Sequence, residues 1–127
     1  LLWSANMAPG VQIMKNLLKT IKLLPEFNVQ MTESHHINKK DKPSGTAIML
    51  QDVLEKKRAG LPAPLSIRGG GIFGVHKVEF MAPEEVITIE HQALSRTVFA
   101  RGALQVSQWI QSQKPGLYTM EDMLREM

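Results

Sequence analysis

Two prolines set the plan of the first half of the chain. Pro25 closes a stretch in which Val11, Met14, Leu17, Leu18, Ile21 and Leu24 recur at helical spacing. Pro43 ends whatever precedes it, because the residue before a proline is biased away from helical geometry. Between the two prolines the period changes. Phe27, Val29 and Met31 alternate with Asn28, Gln30 and Thr32, a strand pattern that delivers Glu33 to His36 at its C-terminal end. After Pro43 the helical period returns from about Ser44 to Arg58. Ala47, Leu50, Val53 and Leu54 lie on one face, Lys56, Lys57 and Arg58 fill the last turn, and Gly60 is the stop.

The second half is richer in strand signals. Leu61-Pro62-Ala63-Pro64 is a stiff connector, and Leu65 to Arg68, Val75 to Met81 and Glu85 to His91 read as strands, the last two joined in a hairpin across Ala82-Pro83-Glu84. Ser95 is placed to cap a third long helix with Phe99, Ala103, Val106 and Ile110 on its buried face, and Lys114-Pro115-Gly116 breaks it. A short helix follows from Thr119 to Arg125. The expectation is an α+β domain: a mixed sheet of about four strands with helices packed on one face. Ile87 and Ile89 would face the helices. Lys77, Glu79, Met81, Val86 and Thr88 give the other face a mixed character that suits a second copy packed sheet on sheet.

Composition narrows the class. At 127 residues, 43% of them hydrophobic, the chain has material for one core and is expected to be a single domain over residues 1–127. Leu1-Leu2-Trp3 reads as the tail of a buried strand, which suggests a piece of a longer protein. Without cysteine there is no disulfide, thiolate metal site or cysteine nucleophile. A net charge of +3 with scattered lysines and few aromatics argues against nucleic acid. No apolar run is long enough for a membrane span and no leader opens the chain, so the expected setting is the cytoplasm, with no membrane partner.

The segment from Glu33 to Ala47 carries the chemistry. His35 and His36 are the side chains able to exchange protons near neutrality, and Lys39, Lys40 and Lys42 add positive charge. Beyond Pro43, Ser44 or Thr46 can cap the next helix. The free amides around Gly45 and Thr46 then form the positive end of a dipole, a site that attracts carboxylate or phosphate. Blander readings stand beside this one. The histidine pair also fits an exposed turn, and Lys39 fits a solvated side chain. A metal site is poorly served, since neighbouring strand residues point to opposite faces and no cysteine completes a shell. Gly69-Gly70-Gly71 is a bend or bulge rather than a phosphate loop, because a strand and not a helix follows it. His76 is read as structural. Arg96, at a helix start where the dipole gives it no reason to be, faces either the anion site or a carboxylate such as Glu33.

Glu33 to Ala47 resembles the signature of the dihydrodipicolinate reductase family, with Lys42 where that family usually has alanine. Ser4-Ala5-Asn6-Met7 with Gly10-Val11, then Arg68, Gly69, Gly74, His76 and Phe80, His91 to Gly102, and Gly116 to Met120 continue the likeness over nearly the whole chain. It covers only the second half of the family's enzyme. The resemblance implies an oxidoreductase of lysine biosynthesis through diaminopimelate, reducing a cyclic dicarboxylate with NADH or NADPH held mainly by an absent Rossmann domain. It implies that His35 and Lys39 are the acid and base residues, with Lys39 the proton donor. His36, Gly45 and Thr46 would bind substrate, Ser4, Ala5, Asn6 and Met7 would reach the nicotinamide end of the cofactor, and the assembly would be a homotetramer. This part alone would be inert. A dicarboxylate-sensing domain and a purely structural oligomerisation module are the competing classes.

Overall fold

The computed structural model describes residues Leu1–Met127. Helix α1 (Pro9–Thr20), strand β1 (Asn28–His35), helix α2 (Gly45–Glu55), strands β2 (Leu65–Arg68), β3 (Val75–Met81) and β4 (Val86–Gln92), and helices α3 (Thr97–Ile110) and α4 (Met120–Arg125) follow in that order. The strands form one sheet ordered β2-β1-β3-β4, with β1 and β2 parallel and the other two pairings antiparallel. The expected mixed four-stranded α+β architecture is what forms.

Strand alternation builds the core. Register sets Val29 opposite Phe80 and Met31 opposite Val78, and these four face Met14 and Leu18 of α1 and Leu50, Val53 and Leu54 of α2 in one buried cluster. Burying a side chain such as Phe80 or Leu54 completely is worth about 1.5–3 kcal/mol, so α1 and α2 are held firmly on this face. The next inward pair along the same two strands is polar: Glu33 opposite His76, both buried. The apolar core thus ends at this polar pair.

Several expectations need correction. Helix α1 stops at Thr20 rather than running to Leu24. The Lys57 Nζ donates to the carbonyls of Lys19 and Ile21 at 2.6 and 2.9 Å, and the Arg58 guanidinium donates to those of Leu24 and Phe27. These cations therefore satisfy the end of α1 and the turn after it, not the last turn of α2, which contains no basic residue. Ile87 and Ile89 do face the helix side, opposite Phe80 and Val78, but only Ile89 packs against the core, and Ile87 is 45% exposed near the far end of edge strand β4.

Helix α3 departs furthest. Only Gly102 and Val106 are buried along it, Ala103 is exposed, and Phe99 and Ile110 are half-buried. Its partner is not the sheet. Val106 joins Met120 and Met123 of α4 in a small separate cluster, with Leu2, Met7 and Trp109 packed against it. The helix also begins one residue later than its cap signal: Ser95 Oγ accepts the amide of Thr97 at 3.0 Å, and Arg96 occupies the cap position without a side-chain bond. Leu1–Trp3 is not buried as a strand. Leu2 makes a single parallel bridge to Tyr118, leaving Leu1 81% and Trp3 70% exposed.

Candidate active site

The N-terminus of α2 is fixed by the sheet beneath it. Ser44 caps the helix by accepting the amide of Ala47 at 3.1 Å, its own amide donates to Glu33 Oε1 at 3.3 Å, and its hydroxyl shares a 2.9 Å hydrogen bond with His76 Nε2. The buried cross-strand pair Glu33 and His76 therefore decides where the helix starts. The amides of Gly45 and Thr46, the first two of the helix, have no protein acceptor. They remain available to an anion.

Above them lies a cleft of about 690 Å³ lined by Ser4, Ala5, Asn6, Met7, His35, His36, Lys39, Ser44, Gly45, Thr46, Phe73, Arg96, Phe99 and Ala103. All nine residues singled out in the sequence border this one space. Each arrives by a different route. The Ser4–Met7 segment is held by Asn6, whose Nδ2 donates to Thr46 Oγ1 at 3.0 Å while its Oδ1 accepts the amide of Ala8 at 2.8 Å. His35 ends β1, and Lys39 follows in the loop toward α2. The Lys39 Nζ lies 2.9 Å from Asp41 Oδ1, an ion pair at the rim that does not fill the cleft, Asp41 being 60% exposed. Arg96 faces this space, while Glu33 takes a different arginine, Arg68, at 2.8 and 3.0 Å. Phe73 and Phe99 were not foreseen as lining residues; they come from a loop and a helix whose approach no local pattern encodes.

Electrostatics differ sharply between the groups. Burial opposes charge on Glu33, yet hydrogen bonds from Arg68, Ser66 and His35 outweigh it and hold the carboxyl down at about 2. Glu33 is therefore an anion in the folded protein at neutral pH. Burial lowers the pKa of His35, and the Glu33 carboxylate works against that by hydrogen bond and charge, so a second anion arriving in the cleft would favour the imidazolium. His76 is pushed from 6.5 to about 4, first by burial and then by the neighbouring His35, whose ring centroid lies 5.2 Å away in an edge-on arrangement.

Burial of His76 in its neutral form has a measurable acid effect. A histidine whose folded pKa lies below its unfolded value takes up its proton first in the unfolded chain, so stability is complete above 6.5 and falls as pH drops toward about 4. The loss is on the order of 3 kcal/mol. Urea unfolding between pH 7 and 4.5 should show it, and His76→Gln should make the curve shallower, the remainder coming from His35 and His91, which burial also lowers. A wild-type curve flat over that interval would exclude this role for His76.

Glu33, His35 and His76 also come close enough for their ligand atoms to surround an ion. His76 reaches this group through the register between β1 and β3, which no local sequence pattern encodes. Arg68 already occupies both Glu33 oxygens, however, so a metal ion would have to compete with a fixed guanidinium. The donor set suits an imidazole–carboxylate pair better than a cation. Nor is Gly69–Gly71 a phosphate loop. The Gly69 amide donates to the His35 carbonyl at 3.1 Å, the Gly70 carbonyl accepts the Ile37 amide at 3.1 Å, and Gly70 turns the chain at φ 50.

Comparison with known proteins bears on this geometry. The fold matches a solved structure described as dipicolinate-bound dihydrodipicolinate reductase from Paenisporosarcina sp. TG-14, with a TM-score of 0.75 at 21% identity over 93% of this chain and 52% of that one. Such a likeness defines the architecture. Residues 10–124 match the family described as dihydrodipicolinate reductase, C-terminus, and the chain belongs to that family. The 4-hydroxy-tetrahydrodipicolinate reductase of Bdellovibrio bacteriovorus is 53% identical over 124 residues, 97% of this chain and 54% of that protein. The protein of the same name from Caldanaerobacter subterraneus subsp. tengcongensis is 44% identical over 142 residues, covering 97% and 57%. The chain thus spans about half the length of these relatives. No helix in it is long and apolar enough to cross a membrane.

Proposed function

We propose that this chain is the substrate-binding half of an NAD(P)H-dependent 4-hydroxy-tetrahydrodipicolinate reductase, acting in the cytoplasm on the diaminopimelate route to lysine. The observation that carries the reading is the convergence of unpaired helix amides, an imidazole and an ammonium group on one cleft. A planar ring with two carboxylates needs oriented N–H groups and cations, and each charge-assisted hydrogen bond contributes about 1.5–3 kcal/mol. Gly45 and Thr46 would hold one carboxylate through their amides and the Thr46 hydroxyl, with His36 alongside. The hydroxyl oxygen already accepts from Asn6, which leaves its hydrogen free to donate.

The chain lacks a glycine-rich strand-to-helix turn for a pyrophosphate, so it fits only the nicotinamide end of a dinucleotide, along the Ser4–Met7 wall. The reduced nicotinamide would supply the hydride to one ring carbon. Lys39 then delivers a proton to the neighbouring ring carbon, and His35, charged more readily once the dianion is bound, serves as the second acid–base group. Lys39 exchanges its rim contact with Asp41 for the substrate. Holding both reactants in contact is worth about 7–11 kcal/mol, which this half alone does not supply, so the isolated chain is inert.

The outer sheet face supports self-association. Leu65 and Ile67 of β2 and Val86 of β4 are 58%, 51% and 55% exposed, and their register places them on the side away from the helices. Copies packing there would give the homotetramer. Light scattering of the intact protein at high concentration should find an oligomer, and a monomer would remove this part of the reading. The reaction itself is tested by following NADH or NADPH oxidation by the intact protein with the cyclic dicarboxylate. Turnover with either cofactor supports the proposal, and none with both refutes it.

A further inference from the structure

Two buried charges beside the cleft have no place in the reaction just described. Glu33 is fully buried and the Arg68 side chain is 5% exposed, yet neither borders the cleft. A buried ion pair can often be replaced by apolar side chains without loss of stability, so its position at the end of the core asks for another reason. The contacts supply one. Arg68 donates to both oxygens of Glu33, and the rest of its guanidinium reaches the loop before α2, with Nε donating to the Lys39 carbonyl at 3.2 Å and Nη2 to the Asp41 carbonyl at 2.6 Å. Glu33 Oε2 also binds His35 Nδ1, and Oε1 takes the amide of Ser44, the cap of α2. One ion pair therefore touches the imidazole, the lysine loop and the anion cradle.

We propose that Glu33 and Arg68 are the positioning pair of this site: Glu33 fixes the ring and tautomer of His35, and Arg68 fixes the loop that carries Lys39. A carboxylate is acceptor-only, so the imidazole nitrogen it binds must carry the hydrogen. His35 is thereby held as the Nδ1–H tautomer with Nε2 bare, the form able to accept a proton on the side away from Glu33. Gly74 keeps room there, since a β-carbon on it would stand 3.3 Å from Nε2. Arginine is needed at 68 because one planar fork spans a carboxylate and three backbone carbonyls at once, those of Lys39, Asp41 and its neighbour Ile67; lysine offers a single point of contact.

The assignment rests on the reading of His35 and Lys39 as the acid–base residues, and its test separates the two. In the intact protein with ¹⁵N-labelled histidine, long-range ¹H–¹⁵N spectra of neutral His35 should show a protonated Nδ1 and a bare Nε2, and Glu33→Gln should lose that preference. In steady-state kinetics Glu33→Gln should lower kcat by about 100-fold, with KM for the cyclic dicarboxylate changed less than about threefold. Arg68→Lys should fail to restore wild-type kcat. A pair serving stability alone would lower the melting temperature and leave kcat and tautomer as they were. An Nε2–H tautomer in wild type overturns the proposal even if the variants do not fold, and so does a folded Glu33→Gln with wild-type kcat. Wild-type protein showing the stated tautomer but no turnover would count against the reaction and leave the geometric assignment standing.

Discussion

If Lys39 has its proposed role, Lys39→Ala should lower kcat of the intact protein by about 10²–10⁴-fold, the range that a positioned acid–base group contributes. The side chain is 24% exposed, borders the cleft, and stands free of any carboxylate except the exposed Asp41, so its ammonium is able to turn toward substrate. Lys39→Arg separates its two duties. Arginine keeps the positive charge but holds its proton too tightly to give it up, so KM should stay near wild type while kcat falls with the alanine variant. Steady-state kinetics at saturating cofactor measure both. An arginine variant with near-wild-type kcat would mean that charge alone is required at position 39 and that the proton comes from elsewhere.

Gly102→Ala should be almost as damaging, although Gly102 is not among the residues that line the cleft. A β-carbon there would lie 1.7 Å from the carbonyl oxygen of Met7, closer than any packing allows, and the obstacle is backbone rather than a side chain that could turn aside. Either α3 or the Ser4–Met7 segment must move. Both are walls of the cleft, since α3 brings Phe99 and Ala103 and the segment brings Asn6, which is tied to Thr46. Overpacking of this kind costs about 1–3 kcal/mol in stability. A displacement of about 1 Å at a catalytic site costs on the order of 100-fold in rate. A variant with wild-type melting temperature and kcat/KM would show that α3 is free to shift without the cleft noticing.

The parts of this molecule legible in the sequence are those in which chemistry and neighbours are local. The change of period at Pro25 and the Pro-Ser-Gly start after it place β1 and α2, and the proposed anion cradle is made of consecutive residues, so its members can be named by reading along the chain. The supporting charges are a different matter. Glu33 meets His76 because of the register between β1 and β3, and meets Arg68 because β2 runs parallel to β1, facts that no stretch of sequence encodes. Helix α3 shows the same limit. Its amphipathic pattern was visible, but its partner was not, and the single close approach at Gly102 sends it against Met7 and α4 in place of the sheet. Lys56 to Arg58 misled for a related reason: cations after a helix usually serve its own carbonyls, whereas Lys57 and Arg58 reach across to the end of α1.

The central proposal is a doubly negative ring seated on the amides of Gly45 and Thr46 within reach of Lys39. Calorimetry of the intact protein with pyridine-2,6-dicarboxylate, an unreactive planar mimic, tests this directly. Wild type should bind, and Thr46→Val and Lys39→Ala should each weaken binding by about 10- to 100-fold, the equivalent of one lost charge-assisted hydrogen bond. Equal affinity in all three proteins would contradict it.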